Sequence, residues 1–322
     1  MPPVLADIGP LRRSSAFRRL WFGLSVGSIG SQLTVVGVAY QTYQLTRSTA
    51  MVGLVSLAAL APTILGSLIG GAVADVVDRR RLLIGTQIVL AAASAALAAN
   101  ALLPHPRLWV LFVAPSVTAA FQGVDWPTRL AVVPMLVPED DLPSAFALQS
   151  AVNNLAVVAG PALAGVVIAN FGLQTVYLAD VVSYGATFVA AVLLPSLVPQ
   201  GNGDSPAGVR SIVEGLRFLR TESLLLATFV LDLNAMVFGM PKAVFPALGL
   251  GLFHGGASTV GLLYAAPGAG ALGASVLSGW IKHVTTRGRA LVVCMLIWGG
   301  AICLFGLIPV LWIGLVLLAV AG

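Results

Sequence analysis

Charge is what this chain has least of. Asp, Glu, Lys and Arg make up 9% of its 322 residues, against 58% hydrophobic residues, where a soluble domain carries roughly 25% charged. With a mean hydropathy of +0.97, the shortage excludes a water-soluble fold and implies an all-α polytopic protein of the lipid bilayer. Cysteine is scarcer still. Cys294 and Cys303 lie nine positions apart in one apolar run, half a turn out of phase on a helix, so neither a disulfide nor a metal pair follows. The three histidines, His105, His254 and His283, are scattered over expected loops, so no metal site is expected. No nucleophile elbow, phosphate loop or metal-ligand spacing occurs; an enzyme and a cofactor are therefore not expected. A literal Gly-x-Gly-x-x-Gly, Gly268 to Gly273, follows no strand and precedes no acidic residue, which makes it a small-residue packing face rather than a dinucleotide site.

What is present is a series of long apolar runs. They predict spans over 20–45, 51–74, 82–103, a fourth from 108 to between 126 and 136, 144–170 and 173–195, which close an N-terminal six-helix bundle over 1–197. Residues 198–222 read as a linker. Its start is rich in Gly and Pro, and Val209, Ile212, Val213 and Leu216 then alternate with Arg210, Glu214 and Arg217 as in a helix lying on a membrane surface. A second, incomplete bundle, 223–322, follows, with spans over 224–247, 257–281 and 290–308. The last twelve residues reach only about 18 Å of the roughly 30 Å hydrocarbon core. About nine full spans and part of a tenth are expected.

Basic residues set the orientation. With the N-terminus in the cytoplasm, fourteen Lys and Arg fall on that side, and only Arg47, Arg107 and Lys242 on the other. That asymmetry also accounts for the net charge of +5 without invoking nucleic acid, and it places the chain in the cell membrane. The two halves repeat. An offset of 208 residues aligns Val52-Gly53-Leu54 with Val260-Gly261-Leu262, and Gly71, Arg79 and Arg81 with Gly279, Arg287 and Arg289.

Between the second and third spans, five charges fall within twelve residues, Gly70 to Arg81. Gly71, Asp75, Arg79 and Arg80 there match the Gly-x-x-x-Asp-x-x-Gly-Arg-Arg/Lys signature of the major facilitator superfamily, and Asp78 stands where the family usually has Gly. The segment resembles the branch of that superfamily that holds enterobactin exporters and multidrug efflux proteins. The resemblance implies two six-helix halves that rock about a central cavity, the second half here being truncated, and a cytoplasmic latch built on this motif. Asp75 is expected to cap the next helix or pair with Arg79, and Asp125 and Arg129 are expected near enough to the cytoplasmic end of the fourth span to join the latch, with Arg81.

Gly160, Pro161 and Gly165 in the fifth span are similar to the family's antiporter motif and mark a place of bending or close packing. Gln122 and Gly123 match half of the fourth-span motif, with Ala119 where its arginine would stand, so proton coupling would need another group. Asp180 and Asp232, isolated carboxylates within spans, are the candidates, against the alternative of neutral buried structural groups. Gln32, Gln122, Asn153 and Asn154 are candidates for the cavity lining, helix-to-helix hydrogen bonding being the alternative; Tyr264 is a candidate for its aromatic surface, against the alternative of an interface anchor. The resemblance implies a monomeric secondary transporter that exports an amphipathic small molecule, a siderophore or a drug, by proton antiport. A transport-inactive truncated membrane protein is the competing expectation.

Overall fold

The computed structural model describes residues 7–198, 217, 220–239, 241–277 and 287–322. All but Arg217 of the expected surface helix around 209–217 and the second-copy position His283 lie outside the described residues, as do the side chains of Asp232 and Arg287. The described residues hold helices and no strand.

A single turn, Gly9–Arg13, precedes α1 (Ser15–Thr46); then come α2 (Thr49–Ala74), α3 (Arg79–Leu102), α4 (Leu108–Leu136), α5 (Leu142–Phe171) and α6 (Leu173–Val192). These follow the apolar runs, and local chemistry sets their ends. Ser14 Oγ accepts the Phe17 N–H at 3.1 Å and Ser48 Oγ accepts the Met51 N–H at 3.4 Å, each satisfying a donor left open by the first turn. Gly172, at φ +87°, makes the corner between α5 and α6, a backbone conformation that favours glycine. The fourth helix runs on through Pro115, Pro127 and Pro134 to Leu136, since neighbouring helices and local adjustment can re-satisfy backbone groups that proline frees.

The second half holds α7 (Ser223–Gly239), a short helical run Lys242–Leu252, α8 (Gly256–Leu277), α9 (Arg287–Leu307) and α10 (Leu311–Ala321). The expected seventh span, 224–247, stops at Gly239 instead. Pro241 has no N–H to donate and disfavours the helical conformation one residue before it. Among the described residues seven helices, α1 to α6 and α9, are long and apolar enough to cross a membrane.

In the first bundle α1 packs on α6 and α5, α2 on α4, and α3 on both α4 and α6. Side chains turned away from these contacts are apolar and exposed, as at Leu57, Leu65 and Val182, which lipid accommodates without cost. Among the described residues the halves meet in two places. One is the length of α5 against α8. The other lies at the end of the bundle away from the Asp75–Arg81 turn, where Val36, Leu97, Leu111 and Tyr177 of the first half and Phe245, Val260, Leu263 and Leu318 of the second are all fully buried in one apolar cluster. Phe245 lies edge-on to Tyr264, with ring centroids 5.2 Å apart. At the motif end, smaller clusters around Leu20 and Leu83 and around Phe17 and Val137 pack the first bundle alone.

Candidate functional site

The motif turn is built differently from its expected form. Asp78, rather than Asp75, begins α3: its Oδ1 accepts the Arg80 N–H at 2.9 Å and the Leu197 N–H at 3.0 Å, and its Oδ2 accepts from Ser196 Oγ at 2.8 Å. Asp75 is exposed and has no hydrogen-bond or ion-pair partner among the described residues. The arginines serve helix ends, where carbonyls lack partners. Arg79 donates to Ala74 O at the end of α2 and to Ala131 O and Met135 Sδ on α4, and Arg80 donates to Val192 O at the end of α6 at 2.6 Å. Arg81 is exposed, and Gly71 has open space around it.

Asp125 and Arg129 do not join that turn. Because α4 continues to Leu136, Asp125 lies eleven residues from the helix end, about 16 Å along the axis. It forms a buried ion pair with Arg129 one turn on, and its Oδ1 accepts from Thr86 Oγ1 at 3.0 Å and Gln87 Nε2 at 2.9 Å.

That pair faces a cavity of about 600 Å³. Gln32, Gln122, Asn153 and Asn154, the four amides of the expected lining, all border it, together with Ser28, Ser31, Thr63, Ser67, Trp126 and Tyr184. Exposed Thr63, Ser67 and Asn154 leave it open between α2 and α5. Tyr264 is not part of it: the side chain lies in the apolar cluster and donates to Lys242 O at 2.8 Å. A second cavity of about 280 Å³ continues toward the opposite end and shares Ser31, Ala119, Gln122 and Tyr184 with the first. At this waist Gln122 Nε2 donates to Tyr184 Oη at 3.3 Å.

Asp180 borders the second cavity and is wholly buried. Its Oδ2 accepts from Thr34 Oγ1 at 2.7 Å and Ser94 Oγ at 2.6 Å, and Oδ1 from Ser183 Oγ at 3.2 Å. Three hydroxyls and no cation surround it, so nothing within hydrogen-bond reach compensates a negative charge. Those hydroxyl partners, like Thr86 and Gln87 beside Asp125, belong to no motif in the sequence. The available signal is a Ser or Thr one helix away inside an apolar run.

The Gly160-Pro161-Gly165 motif is a double contact. A Cβ added at Gly160 would stand 2.4 Å from the Gln32 Cβ on α1, and one at Gly165 would stand 2.8 Å from Ala257 O and 3.0 Å from the Gly261 Cα on α8. The motif thus lets α5 pack closely on the Gln32 side chain of α1 and meet α8 backbone to backbone.

The family described as transmembrane secretion effector matches residues 6–322. Among curated relatives, the enterobactin exporter EntS of Citrobacter koseri is 27% identical over 318 residues, which is 99% of this chain and 76% of that protein. EntS of Escherichia coli O1:K1 aligns with the same identity and coverage. Among solved structures, a bacterial homologue of the human lysosomal transporter Spinster, inward-facing and unoccupied, has a TM-score of 0.68 at 15% identity over 98% of this chain and 73% of that one. The peptide transporter POT in complex with alafosfalin has a TM-score of 0.64 at 13% identity over 95% of this chain and 79% of that one. At such identities the structural likeness speaks for the fold alone. The match over all but the first five residues decides the family: the chain belongs to the transmembrane secretion effectors of the major facilitator superfamily.

Proposed function

We propose that this protein is a secondary transporter that exports an amphipathic small molecule, taking it up from the cytoplasm into the cavity between α1, α2, α4 and α5 and releasing it outward in exchange for protons. The observation that carries the reading is the cavity itself: a polar, partly open space between mid-span and the motif end, closed beyond mid-span by the apolar cluster that joins the halves. The direction is taken from the exporters at 27% identity, whose cargo, enterobactin, is a siderophore. The N-terminus is assigned to the cytoplasm on the fourteen-to-three distribution of basic residues, and one chain is the working unit.

Asp180 is the proposed proton carrier, since a carboxylate held only by hydroxyls can exist charged or neutral without breaking an ion pair. Asp232, on α7, remains its companion candidate. The motif residues Gly71, Asp75, Asp78, Arg79, Arg80 and Arg81 are the proposed cytoplasmic latch, and Asp75, unpartnered here, is available to bond the other half when the motif end closes. The test is efflux of a fluorescent amphiphile from energised vesicles. Export abolished by a protonophore and by Asp180→Asn supports the reading; a correctly inserted chain that exports nothing refutes it.

A further inference from the structure

We infer that Arg129 is an anion-recognition point, and that the preferred cargo is an amphiphile bearing a single carboxylate. The inference rests on reading the cavity as the substrate site. Of the ionisable groups that line it, Asp125, Arg129 and Tyr184, only Arg129 is a cation with hydrogen-bond donors to offer an anion. Asp125 is engaged on both oxygens: Thr86 and Gln87 donate to Oδ1, and the Arg129 Nε side of the guanidinium contacts Oδ2. Tyr184 Oη already accepts from Gln122. The guanidinium meets Asp125 Oδ2 as an ion pair on its Nε side, its Nη1 and Nη2 groups have no hydrogen-bond partner among the described residues, and the side chain borders the cavity.

A guanidinium fixed along one edge presents the other nitrogens as a planar fork, which matches a carboxylate and matches a neutral ester or an ammonium poorly. The remaining polar lining is neutral, and the amides of Gln32, Asn153 and Asn154 supply donors and acceptors for an uncharged remainder. Trp126, half exposed beside the ion pair, gives the apolar part of such a molecule a surface. A cationic cargo is disfavoured at this pair, because Arg129 already answers the charge of the one carboxylate and would repel a second cation.

The test is equilibrium binding of two matched fluorescent probes, dansyl-phenylalanine and its methyl ester, to the purified 322-residue chain in detergent. The acid binds about tenfold or more tightly than the ester, and Arg129→Gln removes most of that preference while changing ester affinity by less than about twofold. Arg129→Lys, a point charge without the fork, restores part of it. Where the single variant does not fold, because it leaves Asp125 buried without its cation, the double variant Asp125→Asn/Arg129→Gln carries the test with the same expected loss of preference. Equal affinity of the wild-type protein for acid and ester, no binding of either, or parallel loss of both in the variants overturns the inference. If the chain exports the ester from cells without preferring the acid, the transporter reading stands and this inference alone fails. Acid-selective binding with no export of any cargo supports the anion site and overturns the transporter reading instead.

Discussion

Asp78 and Leu197 are bonded reciprocally: Asp78 Oδ1 accepts the Leu197 N–H at 3.0 Å, and Leu197 O accepts the N–H of Arg79, the next residue, at 3.1 Å. The turn between α2 and α3 is thereby pinned to the stretch after α6 where the chain leaves its first bundle. Partial burial pushes the Asp78 carboxyl upward, but hydrogen bonds from Ser196, Leu197 and Arg80 and the nearby Arg81 charge outweigh it and hold the group below the usual carboxylate range.

A depressed carboxyl favours the folded arrangement above its ordinary unfolded value, and that contribution disappears as pH falls through the folded value. A spin label at Val198→Cys, with Cys294 and Cys303 replaced by Ser, should be restrained at neutral pH and become mobile on acidification through that range. In Asp78→Ala the label should be mobile at every pH. A label equally restrained in both proteins would refute the pin.

Asp180→Asn keeps the shape of a side chain that three hydroxyls surround, so the variant should fold, melt within a few degrees of the wild type and bind cargo. Export driven by a proton gradient should be lost. Asp180→Ala leaves Thr34, Ser94 and Ser183 without their shared acceptor and should cost about 1–3 kcal/mol of stability. Thermal melting in detergent, read beside vesicle transport, separates the two effects.

The contact of α5 with α8 has no room for a side chain. Gly261→Val places a Cβ 2.5 Å from Pro161 O and should destabilise the chain by about 1–3 kcal/mol through overpacking. Gly85→Ala is the control. It lies within α3 with open space around it and should be neutral or stabilising by up to about 1 kcal/mol.

Cavity depth can be read chemically. Cysteines at Ser67 and Asn153 should react with a membrane-impermeant thiol reagent added on the cytoplasmic side, while a cysteine at Thr34, buried against Asp180, should not. Reaction of Ser67→Cys only from the outside would reverse the proposed orientation.

The spans of the first bundle are legible because each is an unbroken apolar run between polar or glycine-containing corners, as at Ser48 and Gly172. The four cavity amides are legible for a related reason: Gln32, Gln122, Asn153 and Asn154 are strongly polar in runs that are otherwise apolar, and such groups need a partner or water. Tyr264 looks alike in the sequence, yet its hydroxyl is satisfied by the carbonyl of Lys242, twenty-two residues away, a contact that spacing does not announce. The depth of Asp125 turns on whether α4 ends at Pro127 or continues past it, which the proline alone does not decide. A fourth span ending near Pro127 would put Arg129 at the depth of the latch, while its position on the cavity follows from the continued helix. Hydrophobicity carries the expected seventh span across Pro241, which cannot continue it.

The seam between Gly165 and Gly261 has a mechanical consequence. Interlocked side chains would act as teeth, and any tilt of one half on the other would have to lift them out of register. Here main chain lies against main chain with nothing projecting between them. At this seam the main chains themselves set how closely α5 and α8 can sit.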